Sequence, residues 1–130
     1  MSGRLDAFRA ERERLNQRIL DTATMTTKRF FNLDTACYKD GALPARTKEM
    51  AGLAASLVLR CDDCIAYHTI RCVELGVSEQ EILEIFDVGL IVGGSIVIPH
   101  LRRARALLDE LLAAGDKDPK PRPAGPGTES

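Results

Sequence analysis

The chain has 130 residues and a formal net charge of −1, with 45% hydrophobic and 28% charged residues. That length suits one domain with its own core and no need of disulfide staples. The balanced charge, with no basic stripe interleaved with aromatics, argues against nucleic acid as a partner. The charged N-terminal stretch lacks the apolar segment of a secretory signal. The longest apolar run, residues 88–99, is too short to cross a bilayer. The expectation is therefore no membrane and a reducing cytoplasmic location, where four cysteines point to catalysis or metal binding before structural disulfides.

Helical periodicity runs through almost the whole chain. Residues 4–21 space Leu5, Phe8, Leu15 and Ile19 near a 3.6 period among charges, an amphipathic helix. A second helix is expected over 26–38, ended by Lys39-Asp40-Gly41. Pro44 suits the first turn of a third helix reaching Leu59, with Met50, Leu53, Ala54, Leu57 and Val58 as its apolar stripe. A fourth helix starts at the pair Cys61 and Cys64 and stops at Gly76. Ser78 and Glu81 form a capping box for a fifth, with Ile82, Ile85, Phe86 and Gly89 facing inward. Gly93-Gly94 breaks the chain, and a last helix is expected over 95–114, kinked near Pro99. The Pro-rich stretch 116–130 reads as a disordered tail. The fold class is thus all-α, a compact bundle of about six helices spanning residues 1–115.

The chemistry concentrates in Cys61-Asp62-Asp63-Cys64, with His68 four residues on and Glu49 upstream. Cys61, Cys64, His68 and Cys72 fall on one helical stripe, and Cys64 and His68 are i,i+4 neighbours. Unpaired N–H groups of a first helical turn favour a thiolate at Cys64, the reactive form of the residue. Cys61 then suits a resolving role. Asp62 and Asp63 oppose a second anion beside them. In a helical hairpin Glu49 would face the level of His68 and Cys72 sooner than Cys64. That order suggests a relay in which Glu49 orients His68 and His68 serves Cys64. Two plainer readings compete: cysteines that merely fill a core, and a structural zinc site. Zinc lacks a fourth ligand here, since Cys72 lies about 16 Å along a helix from Cys61. Cys37 and Cys72 read as buried small residues, His100 as a surface or interface residue, and Tyr67 as packing that could border the site. A thioredoxin-type fold would need a strand leading into the cysteines, where this chain has helical periodicity.

Glu49, eleven intervening residues, Cys61-x-x-Cys64, three more and His68 resemble the motif of AhpD-like alkylhydroperoxidases in the carboxymuconolactone decarboxylase family. Glu74-Leu75-Gly76-Val77-Ser78 extends the likeness, which covers roughly residues 25–112. The resemblance implies an all-helical homo-oligomer, a trimer or hexamer, acting as a thiol-dependent peroxidase or disulfide reductase in antioxidant defence. It implies Cys64 as the peroxidatic and Cys61 as the resolving cysteine, with Glu49 and His68 as the proton relay. No tightly bound cofactor or metal is implied; reduction would come from a lipoyl or thioredoxin-like dithiol partner. One departure is Asp63, where the better-known enzymes carry a histidine, which shifts weight toward disulfide reduction. The alternatives are decarboxylation of a muconolactone in aromatic catabolism, which needs no dithiol, and a non-enzymatic redox-sensing oligomer.

Overall fold

The computed structural model describes residues 3–115. Six helices follow one another: α1 (Arg4–Thr22), α2 (Met25–Cys37), α3 (Ala45–Leu59), α4 (Asp62–Glu74), α5 (Glu79–Gly93) and α6 (Ile98–Ala113). One 3-10 turn, Ser95–Val97, precedes α6, and no strand occurs among the described residues. The all-α class expected from the periodicity is the class observed.

α3 is the hub, packing against both α4 and α5, while α6 closes over α4 and carries α1 on its flank. Its stripe supplies Leu53 and Leu57, both fully buried, to a core completed by Ile65, Ile82, Phe86, Leu108 and Leu111. Each such side chain contributes about 1.5–3 kcal/mol on burial. Close approach of α5 to α3 depends on Gly89, where a Cβ would stand 2.7 Å from the Leu57 side chain. The capping box at Ser78 and Glu81 is formed in full. Met50 and Ile85 are only partly buried beside this core.

Several local expectations are corrected. Pro44 caps α3 from outside instead of occupying its first turn. Pro99 does not kink a helix; it sits in the opening positions of α6, where its missing N–H costs nothing. Gly94, at φ +85, makes the break and leads into the 3-10 turn. In α1, only Leu5 is buried, and Leu15 and Ile19 remain about two-fifths exposed. Cys37 is exposed, because the side of α2 that carries it faces away from the core; Cys72 is buried as expected. Residues 116–130 lie outside the described residues.

The turn that presents the cysteines is unusual. Arg60 takes the left-handed conformation, φ 59 and ψ 43, as the C-cap of α3. Its N–H donates to Leu57 O, and the Cys61 N–H reaches back to Ser56 O at 3.1 Å. A non-glycine residue there costs about 1–2 kcal/mol, and the reversal it permits puts Cys61 directly at the head of α4.

Candidate functional site

Cys61 is the N-cap of α4, not its first helical residue, and its sulfur accepts the Cys64 N–H at 3.2 Å. The two cysteines are joined as a disulfide, with Cα atoms 5.2 Å apart. Cys61 is half-buried and Cys64 exposed. The i,i+3 spacing across a helix start is what brings the two sulfurs together.

On the next turn, His68 Nδ1 lies 2.7 Å from Glu49 Oε1. Glu49 is acceptor-only as a carboxylate, so Nδ1–H donates to it and Nε2 keeps its lone pair. Nε2 faces the Tyr38 hydroxyl at 3.4 Å. The imidazole is flanked by the Tyr38 ring, with centroids 5.3 Å apart, and by the edge of Tyr67 at 5.6 Å. Beneath it runs the backbone of α3 at Gly52, where a Cβ would stand 2.8 Å from His68 Cε1. Only glycine leaves the ring this seat.

Glu49 is fully buried, against the ordinary expectation for a charged helix residue. Its Oε2 lies 3.7 Å from Nε of Arg71, itself buried, and Arg71 Nη1 donates to Glu74 Oε1 at 2.6 Å. The Glu49 charge is felt at Cys72 as well. Burial first, and that carboxylate second, push the Cys72 thiol up to about 12. Cys72 therefore stays protonated and takes no part in thiolate chemistry.

Cys64 and His68 open together onto a cleft of about 720 Å³ between α1 and α4, whose walls include Tyr67, Asp63, Asp34 and Leu15. Arg12 of α1 lies over the Tyr67 ring, 4.2 Å from its centroid. A larger groove of about 830 Å³ between α5 and α6 contains no cysteine or histidine.

The two aspartates of the motif part ways. Asp62 is held by α6, its Oδ1 2.7 Å from His100 Nδ1 and its Oδ2 accepting from Arg103 Nε at 3.0 Å. Partial burial alone would raise its carboxyl, but the His100 hydrogen bond and the nearby Arg103 guanidinium outweigh that and hold it below the usual range. Its charge is thus compensated, while Asp63 stays on the cleft wall. His100, expected as a surface or interface residue, is partly buried and belongs to this anchor between α4 and α6.

The structure brings Glu49 to His68 and Cys61 to Cys64, and it exposes Cys64 and His68 to one cleft. Tyr38, Gly52 and Arg71 were not singled out by the sequence. Of these, only Arg71 carried a signal, a cation three residues beyond His68 on the same helix face. Among the described residues, no three His, Cys, Asp or Glu side chains are arranged to hold a metal ion. No helix among them is long and apolar enough to cross a membrane.

Comparison with known proteins bears on this geometry. Two crystal structures of a Thermotoga maritima protein superpose on the chain with TM-scores of 0.81 and 0.78. They share 56% and 53% sequence identity with it, covering 84% and 85% of this chain and 96% of theirs. That protein is described as a carboxymuconolactone decarboxylase family protein, with a suggested part in an antioxidative response. An uncharacterized protein from the cox locus of Paracoccus denitrificans is 31% identical over 85 residues, 65% of this chain and 77% of its own length. A second uncharacterized protein, from Cupriavidus necator, is 30% identical over 78 residues, 60% of this chain and 69% of its own length. The stretch that holds Glu49, the cysteine pair and His68 lies within residues 26–110, which match the carboxymuconolactone decarboxylase family, and the chain belongs to that family.

Proposed function

We propose that the protein is a dithiol oxidoreductase, a thiol-dependent peroxidase that works through Cys64 and Cys61. The observation that carries the reading is a bonded cysteine pair whose outer member shares a cleft with a histidine fixed by a buried carboxylate. In the reduced protein His68 takes the Cys64 proton at Nε2, while Glu49 holds Nδ1–H and offsets the charge that forms. The Cys64 thiolate attacks the outer oxygen of a hydroperoxide. An S–O bond forms, the O–O bond breaks, and the departing alkoxide takes the proton from His68 to leave as an alcohol. Cys61, one helical step away, attacks the resulting sulfenic sulfur and water leaves, giving the disulfide. An external dithiol, of lipoyl or thioredoxin-like type, restores both thiols by two exchanges and leaves as its own disulfide.

A second reading, disulfide reduction, is favoured by one observation. Cys61 is the sulfur that accepts the N–H at the helix head, the position that best stabilises a thiolate. In that case Cys61 attacks a disulfide and Cys64 resolves it. Decarboxylation of a lactone would leave the bonded pair without a task. The tail of α5 exposes Ile91 and Val92, and α2 exposes Phe30 and Leu33. Apolar surface of this kind supports the homo-oligomer that the resemblance implies. The compartment is a reducing one, the cytoplasm, where the dithiol donor is at hand.

One equivalent of hydrogen peroxide added to reduced protein should remove two titratable thiols, with Cys61 and Cys64 linked in the peptide map. Loss of no thiol would overturn the dithiol reading.

A further inference from the structure

We propose that Arg71 is a positioning residue that holds the Glu49 carboxylate in the orientation His68 requires. The inference rests on the relay of Glu49 and His68 proposed above and extends it inward, beyond the four motif residues. Glu49 is fully buried and Arg71 is 2% exposed, so neither charge is met by bulk water. The two carboxylate oxygens divide their work: Oε1 takes His68 Nδ1–H at 2.7 Å, and Oε2 faces Arg71 Nε at 3.7 Å.

The guanidinium is itself fixed from behind. Nη1 donates to Glu74 Oε1 at 2.6 Å, and Glu74 Oε2 lies 4.0 Å from Arg9 Nη2 on α1. Charges therefore alternate from the surface inward, Arg9, Glu74, Arg71 and Glu49, and the row ends against the His68 ring. One rigid guanidinium thus meets two carboxylates, Glu74 through an Nη1 hydrogen bond and Glu49 through Nε at ion-pair distance.

Without that cation the buried carboxylate turns more readily away from the imidazole. Turning would release Nδ1–H, and with it the tautomer that leaves Nε2 free to accept a proton. Arg71 sits three residues beyond His68 on α4, so one helix face carries both the base and the cation that steadies its partner. Arg71 does not line the cleft that holds Cys64 and His68, so it would act only through Glu49.

The test uses the full chain and two readouts: alkylation of reduced Cys64 by iodoacetamide, located by peptide mass spectrometry, and peroxide turnover with dihydrolipoamide. Arg71→Met should lower kcat and the alkylation rate by about tenfold, part of the hundredfold or more that an oriented base supplies, with KM for the peroxide unchanged. Arg71→Lys, which keeps a cation beside Glu49, should recover the rate to within about threefold. In a Glu49→Gln background, Arg71→Met should cost nothing further, because the group it acts through has gone. Circular dichroism reports whether each variant is folded. If Arg71→Met alone is unfolded, Glu49→Gln against Glu49→Gln/Arg71→Met decides the matter, since that pair buries no unpaired charge at position 49. A folded Arg71→Met with wild-type rates would overturn the proposal, as would a second tenfold loss in the Glu49→Gln background. A Glu49→Gln protein that reacts like wild type would instead overturn the relay itself.

Discussion

Gly52→Ala isolates the seat of His68 from everything else in the site. The added Cβ would stand 2.8 Å from Cε1, 2.9 Å from Nε2 and 3.0 Å from Nδ1 of the ring. Ordinary contact begins near 3.4 Å, so the imidazole must retreat by about 0.6 Å. Its room to do so is small, because Glu49 holds one nitrogen and the rings of Tyr38 and Tyr67 flank it. A shift of that size stretches the 2.7 Å bond to Glu49 past good hydrogen-bonding length. Stability should fall modestly. Alanine in the middle of α3 gains about 0.5–1 kcal/mol over glycine, which offsets only part of the roughly 1 kcal/mol lost with a weakened hydrogen bond and the further ~1–3 kcal/mol that overpacking costs. Activity should fall about ten- to a hundredfold, as misplacement of a catalytic group by up to 1 Å does. Thermal melts and peroxide consumption with dihydrolipoamide read the two quantities separately. Gly52→Ala with full turnover and an unchanged melting temperature would show that the position of the ring does not matter, and the relay would fall.

Three further outcomes follow from individual residues. The Cys72 thiol is pushed up to about 12, so in the folded, reduced protein iodoacetamide at pH 8 should label exposed Cys37 and leave Cys72 untouched. Because the folded form holds that proton more tightly than the unfolded form, the stability it supplies is complete below about pH 9 and is lost as pH climbs toward 12, which alkaline urea titrations would read. Asp62 is held below its usual range; the stability from its grip on α6 is present above the ordinary carboxylate range and lost as pH falls through the lowered value. Its side chain is 45% exposed, so the loss in Asp62→Asn, measured by urea unfolding at pH 7, should stay under about 1 kcal/mol. Tyr38→Phe removes the long 3.4 Å contact to His68 and should lower kcat by no more than about threefold; a hundredfold loss would make the hydroxyl a proton carrier instead of a prop.

Much of the fold was legible because the helical signals are local. The capping box at Ser78, the break at Gly93-Gly94 and the stripe of α3 each act within a few residues and are found where periodicity put them. The misreadings concern position relative to the rest of the chain. Leu15 and Ile19 have the spacing of a buried face, yet in α1 only Leu5 is buried, and periodicity does not say which part of a stripe finds a partner. Pro99 was expected to kink a helix and opens one instead, since a proline can start a helix as well as distort one.

The site was legible in its spacing and not in its support. Glu49, on the helix before His68, was expected at the level of His68 and Cys72; it bonds to the one and adds to the burial that raises the thiol of the other. The seat at Gly52, the Tyr38 contact and the buried Arg71 depend on how α2, α3 and α4 cross, which no pattern within one helix encodes. The aspartates changed meaning most. Asp62 reads as an anion opposing the thiolate, but His100 and Arg103, some forty residues downstream, absorb its charge.

The central claim is that Cys64 is the residue peroxide meets, and one comparison tests it most directly. Peroxide consumption driven by dihydrolipoamide should be sustained by the wild-type protein and abolished in Cys64→Ser, while Cys61→Ser should perform a single turnover and hold a sulfenic acid that dimedone traps on Cys64. Sustained consumption by Cys64→Ser, or a trapped sulfenic acid on Cys61 in its place, would contradict the account.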